Sequence, residues 1–433
     1  MIKIAQAALA VEKEPLLHPF GFKGGSLSEL WQTVVGLQSE SGHTAIGLGI
    51  QSVLWSDPGV FFSAAEQTGN EHMLAITHHA LAQTRGAAFS TPLELSHSLR
   101  ASALAYGREV TGRAELRETF ALNALVPLDH AAWLLYARET GREHYDAMLP
   151  ETYRELLSYR NAELGLTPVV GYGQSLDEIR GLLDQGYFVL KIKIGSDPDK
   201  DGDPDKMLAW DMQRLTEIHA LAAERTTLYT DSGRVLYYLD ANGRYDTMDR
   251  LLRFLDHADS IGALARIVLL EEPFPEENKT PVHAAPVRVT ADESVHGVED
   301  ALERIALGYR AITLKPIAKT LSVALEVAQA ALTRGVPCLC ADLTVNPWML
   351  DWNKNLAARL APLPGLKVGI LESNGHQNYA HWERMQGYHP EGWAPWTQSA
   401  GGVYTLGDDF YARSGGSFGR SPHYEAVLAE VWS

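Results

Sequence analysis

The sequence of 433 residues contains only two cysteines, Cys338 and Cys340, in the stretch CLCAD. On a β-strand, residues two apart point the same way with Cα atoms roughly 6.5 Å apart, so their thiols run parallel. We therefore expect no disulfide between them, and without a nearby histidine they make a poor zinc site. A chain without disulfides is typical of a reducing compartment, which predicts a cytoplasmic location.

Positive charge is also scarce, because 37 lysines and arginines stand against 54 aspartates and glutamates, a net charge of −17. This excess disfavours nucleic acid and anionic membrane surfaces as partners. No apolar run approaches the ~20 residues that span a bilayer. The N-terminal stretch MIKIAQAALAVEKEPLL is more typical of a first strand than of a signal peptide.

Short apolar runs alternate with segments of helical periodicity from about residue 167 onward. Eight such runs, mostly separated by helices, predict an α/β fold with a parallel sheet closed into a barrel. An open doubly wound sheet is the alternative, but the chain lacks the Gly-x-Gly-x-x-Gly turn of its dinucleotide-binding form. The runs are TPVVGYG, YFVLKIKIG, TTLYTDSG, RIVLLEEP, VRVTADES, RAITLKP, VPCLCAD and LKVGILES.

The chain is predicted to have three parts. Residues 1–150 mix strand-like and helical segments and predict an α+β domain, and residues 151–375 hold the barrel. Residues 376–433 are loop-rich and too short for a third domain, so we expect them to pack back on the rest of the chain, the first domain in particular.

The last residues of each run are the candidate site residues, because active sites of such barrels lie at the carboxyl ends of the strands. The second run ends with Lys191 and Lys193, which share one face of an otherwise apolar strand. Two lysines in a dry interior are costly unless they are paired or neutral. The later runs end in order with Asp231, Glu271, Asp292, Lys315, Asp342 and Glu372.

Three carboxylates from adjacent strands, Asp231, Glu271 and Asp292, form a set of hard oxygen ligands that suits Mg²⁺. A second cation nearby lowers the pKa of a lysine, and this pattern predicts a base at Lys193 beside Lys191. The arrangement suits removal of the proton next to a carboxylate, because a divalent cation stabilises the resulting enediolate.

These motifs together resemble those of the enolase superfamily, and among its mandelate racemase/muconate lactonizing enzyme-like proteins they resemble the muconate lactonizing enzyme-like subgroup. The resemblance implies a modified TIM barrel of the (β/α)7β type with an α+β capping domain, and it covers residues 120–375 well. It implies that Asp231, Glu271 and Asp292 bind Mg²⁺, with Glu293 as the alternative third ligand. In the family these ligands lie in the motifs Asp-x-Asn, Glu-x-Pro and Ala-Asp-Glu-Ser, respectively. The family's pairing of a lysine base with Mg²⁺ is a known feature of this superfamily.

The resemblance also implies the roles of the remaining strand-end residues. Lys191 and Lys193 match the Lys-x-Lys motif whose second lysine is a base, and Lys315 matches the base on the opposite face. Glu372 resembles the acid of the eighth strand that hydrogen-bonds a substrate carboxylate oxygen. Asp342 is expected to be structural, and the seventh run has no histidine for the His–Asp dyad of the mandelate racemase and sugar-acid dehydratase groups.

The sequence departs from the family pattern in three places. Gly233 stands where the family has the asparagine of Asp-x-Asn, and residues 196–206 and 234–245 are interpreted as insertions. Substrate selectivity in the family comes mainly from capping-domain loops, which here are expected to be HPFGFKGGS, a glycine-rich and mobile loop that contains Lys23, and GIQSVLWSDPG.

The leading hypothesis is a Mg²⁺-dependent enzyme that abstracts the α-proton of a small carboxylate substrate. Two bases on opposite faces favour a racemase or epimerase, whereas one base and one cation would suit a cycloisomerase or a dehydratase of the same superfamily. A catalytically silent barrel that acts as a binding protein is the alternative from another class. The family resemblance further implies a homo-oligomer.

Overall fold

The structure is a computed structural model that describes residues 1–22, 25–63 and 65–432. Its first unit is an antiparallel sheet of strands β1 (Ile2–Phe22), β2 (Gly25–Ser39), β3 (Thr44–Gln51) and β4 (Ala88–Phe89). The strand order is β3-β2-β1-β4, and the N-terminal strand is present as predicted. The expected mobile loop at residues 18–26 is instead the end of the β1–β2 hairpin, although Lys23 and Gly24 lie outside the described residues.

Helices cover one side of this sheet. The longest, α5, is buried along most of its length, and it comes so close to β3 that a Cβ on Gly47 would lie 2.2 Å from the carbonyl oxygen of Pro127. A side chain at residue 47 would therefore force the helix away from the sheet. The helices that precede the barrel in the chain are α1 (Val53–Ser56), α2 (Pro58–Ser63), α3 (Glu66–Thr84), α4 (Pro92–Thr111), α5 (Glu118–Glu139), α6 (Tyr145–Met148) and α7 (Glu151–Leu156).

A parallel sheet forms the second unit and closes on itself, which confirms the predicted α/β barrel with a capping domain. Its first strand is interrupted at Pro168, so one part pairs with the last strand and the other part with the second. The strands are β5 (Glu163–Thr167), β6 (Val169–Val170), β7 (Val189–Lys193), β8 (Leu236–Asp240), β9 (Ile267–Glu271), β10 (Val289–Ala291), β11 (Ala311–Leu314), β12 (Cys338–Cys340) and β13 (Gly369–Glu372).

Helices surround the barrel, and both cysteines on β12 are buried and free, as predicted. No helix among the described residues is long and apolar enough to cross a membrane. The surrounding helices are α8 (Leu176–Asp184), α9 (Pro204–Ala222), α10 (Met248–Ser260), α11 (Val298–Ala306), α12 (Pro316–Lys319), α13 (Leu321–Leu332) and α14 (Pro347–Ala357), with a 3₁₀ turn at Leu264–Arg266.

The third barrel strand is not the one that the sequence predicts. Residues 226–234 form only isolated bridges around a turn in which Gly233 has φ +68°, and the strand itself is Leu236–Asp240. The stretch TDSG therefore leads into the strand rather than ending it. Residues 234–245, interpreted above as an insertion, contain the strand.

The C-terminal segment packs against both units. Strand β15 pairs with β5 of the barrel, while Arg384 forms an ion pair with Glu14 of β1 and Nε2 of His423 lies 2.9 Å from Glu12 of the same strand. Its elements are α15 (Gly375–Asn378), α16 (Trp382–Gln386), β14 (Ser399–Ala400), β15 (Val403–Thr405), α17 (Asp408–Arg413) and α18 (Pro422–Ala429), with 3₁₀ turns at Pro395–Thr397 and Ser414–Gly416.

Candidate active site

A cavity lies where the carboxyl ends of the barrel strands face the capping unit. On the capping side, its wall is formed by the β1–β2 hairpin, by α1 and by Ser52, which precedes α1. The barrel supplies the charged groups. The lining residues used below are Phe20, Leu27, Leu30, Ser52, Trp55, Val169, Lys191, Lys193, Asp240, Asn242, Lys315, Asp342, Leu343, Glu372 and Asn374.

Lys191 is enclosed by carboxylates from three strands. Its Nζ lies 3.1 Å from Asp240, 2.9 Å from Glu271 and 2.8 Å from Glu372, and its side chain is 2% exposed. Burial disfavours its charge, but these three carboxylates outweigh that penalty and raise the pKa of Lys191 well above its usual range. Lys191 is therefore a fixed cation in this arrangement.

Lys193 lies on the same side of β7 as Lys191, as the sequence predicts. Its Nζ donates to Oδ2 of Asp240 at 2.6 Å and to Oδ1 of Asn242 at 2.8 Å. The strand pairing brings this about, because Lys193 and Asp240 are partners in the register of β7 and β8. Both lysines thus share one carboxylate at the mouth of the barrel.

Asp231 does not join this group, which corrects the predicted ligand set. It is exposed, and it lines a surface cleft with residues that precede the barrel strands, among them Arg288 and Pro337. The acid at the end of the third strand is Asp240, in the sequence Asp240-Ala-Asn242. That stretch has the Asp-x-Asn form, so the departure predicted at Gly233 was wrong.

Glu271 is the last residue of β9, and its two carboxylate oxygens have different environments. Oε2 accepts a hydrogen bond from the Tyr238 hydroxyl, whereas Oε1 is buried without a partner among the described residues. Burial and the nearby Asp240 raise the pKa of Glu271 well above its usual range. A buried, unpaired carboxylate oxygen is costly, and a bound cation would satisfy it.

Glu271, Asp292 and Glu293 each offer a carboxylate oxygen within 4.8 Å of the others, and all three are buried. These hard oxygen donors fit Mg²⁺. Asp292 is bonded by the ammonium groups of Lys315 and Lys319, while Glu293 Oε1 accepts from Asn242 at 2.9 Å. Although burial opposes it, the two lysines lower the pKa of Asp292.

Lys315 faces the cavity from the opposite side of the barrel, because β11 is the sixth of eight strands and β7 the second. Its ammonium bonds Asp292 and lies 4.3 Å from the centre of the Trp55 ring. Burial works against the charge, but Asp292 and Glu271 raise the pKa of Lys315 above its usual value. An indole face near an ammonium is a favourable cation–π arrangement.

Glu372 and Asp342 come from the last two strands of the barrel. Oε2 of Glu372 accepts from Lys191 and, at 3.3 Å, from the backbone N–H of Asp342. Asp342 accepts backbone N–H bonds from Leu343, Val345 and Asn374. Burial and Glu372 raise the pKa of Asp342 to about 6. Its contacts fix the loops after β12 and β13.

Four residues of the site were missed in the sequence. Asp240 and Asn242 could have been found, because the run VLYYLDAN follows TDSG and ends in the Asp-x-Asn form. Trp55 and Lys319 carry no comparable signal, since only the fold brings them to Asp292 and Lys315.

Comparison with known proteins agrees with this fold. Residues 174–361 match the family model described as enolase C-terminal domain-like. This match lies within the barrel and agrees with the resemblance to the enolase superfamily that the sequence motifs indicate. Among curated protein sequences, none matches the chain significantly.

Solved structures of the same fold are similar over nearly the whole chain. A mandelate racemase/muconate lactonizing protein from Herpetosiphon aurantiacus has 20% identity and a TM-score of 0.65, and the match covers 94% of this chain and 96% of that one. A dipeptide epimerase from Enterococcus faecalis V583, complexed with Mg and L-Leu-L-Tyr, has 17% identity, a TM-score of 0.61 and coverage of 87% and 92%. An N-succinyl Arg/Lys racemase from Bacillus cereus has 14% identity, a TM-score of 0.62 and coverage of 87% and 89%.

Proposed function

We propose that the protein is a racemase or epimerase that abstracts the α-proton of a carboxylate substrate with the help of Mg²⁺. The observation that carries the proposal is the position of two ammonium groups, Lys193 and Lys315, on opposite strands of one barrel mouth with buried carboxylates beside them. Racemisation needs a proton to leave one face of the α-carbon and return on the other.

Lys193 and Lys315 would each hold and transfer that proton on its own face. Lys191 would supply a fixed positive charge for the substrate carboxylate, and Glu372 would orient that group. Asp240, Glu271 and Asp292 would hold Mg²⁺, with Glu293 as the alternative to Asp292. Bound there, the ion would stabilise the negative charge that develops on the carboxylate oxygens of the enediolate.

Two of the proposed metal ligands are the same carboxylates that accept hydrogen bonds from the two proposed bases. Lys193 donates to Asp240 and Lys315 to Asp292. A cation held by these oxygens would compete with both ammonium groups for the same negative charge. Metal binding and the environment of the two lysines would therefore depend on each other.

Proton exchange in D₂O tests the proposal and separates it from its rivals. Each enantiomer of an α-substituted carboxylate is incubated with enzyme and Mg²⁺, and followed by NMR. A racemase exchanges the α-proton and interconverts the enantiomers without loss of a group, and EDTA abolishes both. Loss of a group or ring closure would indicate a dehydratase or cycloisomerase. A silent binding protein would exchange nothing.

We also retain, as proposals, a cytoplasmic location and assembly into a homo-oligomer. The free, buried thiols of Cys338 and Cys340 are compatible with the first. The second can be measured by light scattering on the purified protein.

A further inference from the structure

A second cleft lies at the amino-terminal end of the barrel, opposite the active site. Its volume is about 620 Å³, which is within the usual range for small-molecule sites. Leu236 and Ile267 begin β8 and β9, whereas Arg288, Arg310 and Pro337 directly precede β10, β11 and β12. The proposed catalytic groups lie at the carboxyl ends of the barrel strands, so this cleft is separate from the proposed reaction.

One wall of the cleft is a turn that is bonded to the barrel. Residues 226–234 form this turn, in which the N–H of Asp231 donates to the carbonyl oxygen of Gly365 at 3.1 Å. The N–H of Lys367 donates to the carbonyl oxygen of Tyr229 at 2.9 Å. These two bonds join the turn to the segment before β13, so this wall of the cleft is held in place.

The inner surface of the cleft is apolar. Ile267 and Val268 are 8% and 7% exposed, so each contributes a small accessible area to it. Val287, Val336 and Pro337 continue this surface on the segments before β10 and β12. A hydrocarbon or aromatic group that packs against these side chains would remove apolar surface from water, which is favourable.

Two arginines add positive charge to this apolar surface. Nη2 of Arg310 donates to the carbonyl oxygens of Val287 and, at 3.0 Å, of Ala285, which holds the guanidinium in place. Arg288 is partly buried, and its Nη1 makes one long bond, of 3.4 Å, to the carbonyl oxygen of Pro364. Neither arginine forms an ion pair within the described part of the chain. Burial and the nearby Arg310 lower the pKa of Arg288, as expected for a positive charge without a carboxylate partner.

We infer that this cleft binds a small molecule that carries an anionic group on an apolar body. A carboxylate or a phosphate accepts hydrogen bonds from Arg288 and Arg310, and the hydrocarbon or aromatic body packs against the apolar surface. The planar guanidinium group matches the geometry of both oxyanions. Asp231 is the one acidic residue among the described residues that line the cleft, and its charge opposes the ligand. Binding here does not depend on the reaction proposed for the other end of the barrel.

Calorimetry on the wild-type protein with four probes tests the chemistry of the ligand. The titrations contain EDTA, so that a metal ion at the active site does not contribute. We expect 4-phenylbutyrate or phenyl phosphate to bind at least about 10-fold more tightly than 4-phenylbutanamide, which lacks the charge, and than acetate, which lacks the apolar body. The tighter of the two aromatic anions identifies the anionic group as a carboxylate or a phosphate. These comparisons do not depend on the folding of any variant.

Four variants assign the binding to this cleft. Arg288→Gln and Arg310→Gln should each weaken binding of the preferred anion about 10-fold, the size of a lost hydrogen bond to a charged group. Arg253→Gln changes an exposed arginine on α10 that pairs with Asp205, and should leave the affinity unchanged. Asp231→Asn removes an exposed opposing charge, and should strengthen binding about 2-fold. Melting curves establish that each variant is folded.

Two results would overturn the inference. One is that neither aromatic anion binds more tightly than both the amide and acetate. If Arg288→Gln then also changes the mass measured by light scattering, the cleft is instead a contact between copies of the chain. The other is that both arginine variants keep the wild-type affinity, because the anion then binds elsewhere, for example at the lysines of the active site. Neither result bears on the proposed function, which is tested with Mg²⁺ present.

Discussion

The ammonium nitrogen of Lys193 lies 2.6 Å from Oδ2 of Asp240, at the matching ends of the paired strands β7 and β8. Asn242, two residues further on, holds the same ammonium at 2.8 Å and also bonds Glu293. A proposed base and a proposed metal ligand are therefore in direct contact. A change at Asp240 should disturb both proton transfer and metal binding.

Asp240 and Asp231 provide a matched pair for testing the metal site. Asp240→Asn removes a negative charge from the buried cluster, so we expect Mg²⁺ affinity to fall at least about 10-fold and proton exchange to be lost. Asp231→Asn changes an exposed acid away from the cavity, and should leave both quantities unchanged. Calorimetric titration with Mg²⁺ measures the affinity. Equal effects of the two substitutions would contradict the corrected ligand set.

Tyr238 and Tyr237 are neighbours on β8 that point to opposite faces. The hydroxyl of Tyr238 donates to Glu271, whereas that of Tyr237 contacts His219 Nδ1 at 2.8 Å. Residues that hydrogen-bond a metal ligand typically contribute 10–100-fold to affinity. We expect Tyr238→Phe to weaken Mg²⁺ binding by about 10-fold and Tyr237→Phe to leave it unchanged. An unaltered affinity in Tyr238→Phe would show that this bond does not orient the ligand.

The sequence predicted most barrel strands because their apolar runs end in charged residues, as at Lys193, Glu271 and Lys315. The third strand was misplaced because TTLYTDSG has the same run of strand-forming residues followed by a turn. The local sequence does not show whether such a turn precedes a strand or follows one. Pairing with β7 shows that the third strand is β8, because Asp240 lies opposite Lys193 in the register of the two strands.

The sequence places the stretch GIQSVLWSDPG near the site only through the family resemblance, and it does not show which residue of that stretch contacts the barrel. Trp55 lies 260 positions before Lys315, yet its ring contacts that ammonium. The two residues meet only because the capping unit closes over the barrel. Phe20 of the β1–β2 hairpin and Asn374 of the barrel line one cavity for the same reason.

His130 should make the protein less stable in acid. Burial lowers its pKa to about 3, and Nδ1 accepts the backbone N–H of Leu48 at 3.1 Å. The unfolded chain binds a proton near pH ~6.5, so the contribution of neutral His130 is complete above that pH and declines as the pH falls toward the folded value. From pH ~7.5 to ~5 this loss is about 2 kcal/mol.

Urea unfolding of wild type and His130→Asn at both pH values isolates this effect. Asn can accept the same N–H bond but does not titrate, so the variant should lose about 2 kcal/mol less on acidification. Burial raises the pKa of Asp129 and of Asp211 to about 7, but both groups are present in either protein and cancel in the difference. Parallel pH dependences would contradict the prediction.

Lys354 should be essential for stability although it lies outside the site. It is fully buried, bonds Asp351 and the carbonyl of Trp396, and lies 3.9 Å from the centre of the Tyr404 ring. Lys354→Met leaves Asp351 buried without this cation, which typically costs about 3–5 kcal/mol. Lys206→Met, which breaks exposed ion pairs with Asp199 and Asp201, should change little. Similar unfolding midpoints for the two variants would disprove this role.

Separate proton exchange of the two enantiomers in Lys193→Ala and Lys315→Ala tests the two-base account most directly. The substrate is the best one found by the D₂O screen, and both variants are assayed with saturating Mg²⁺. Each variant should lose interconversion but still exchange the α-proton of one enantiomer, and the enantiomer should differ between the two variants, because each remaining lysine serves only its own face. If either variant interconverts the enantiomers at the wild-type rate, the account of two opposed bases is wrong.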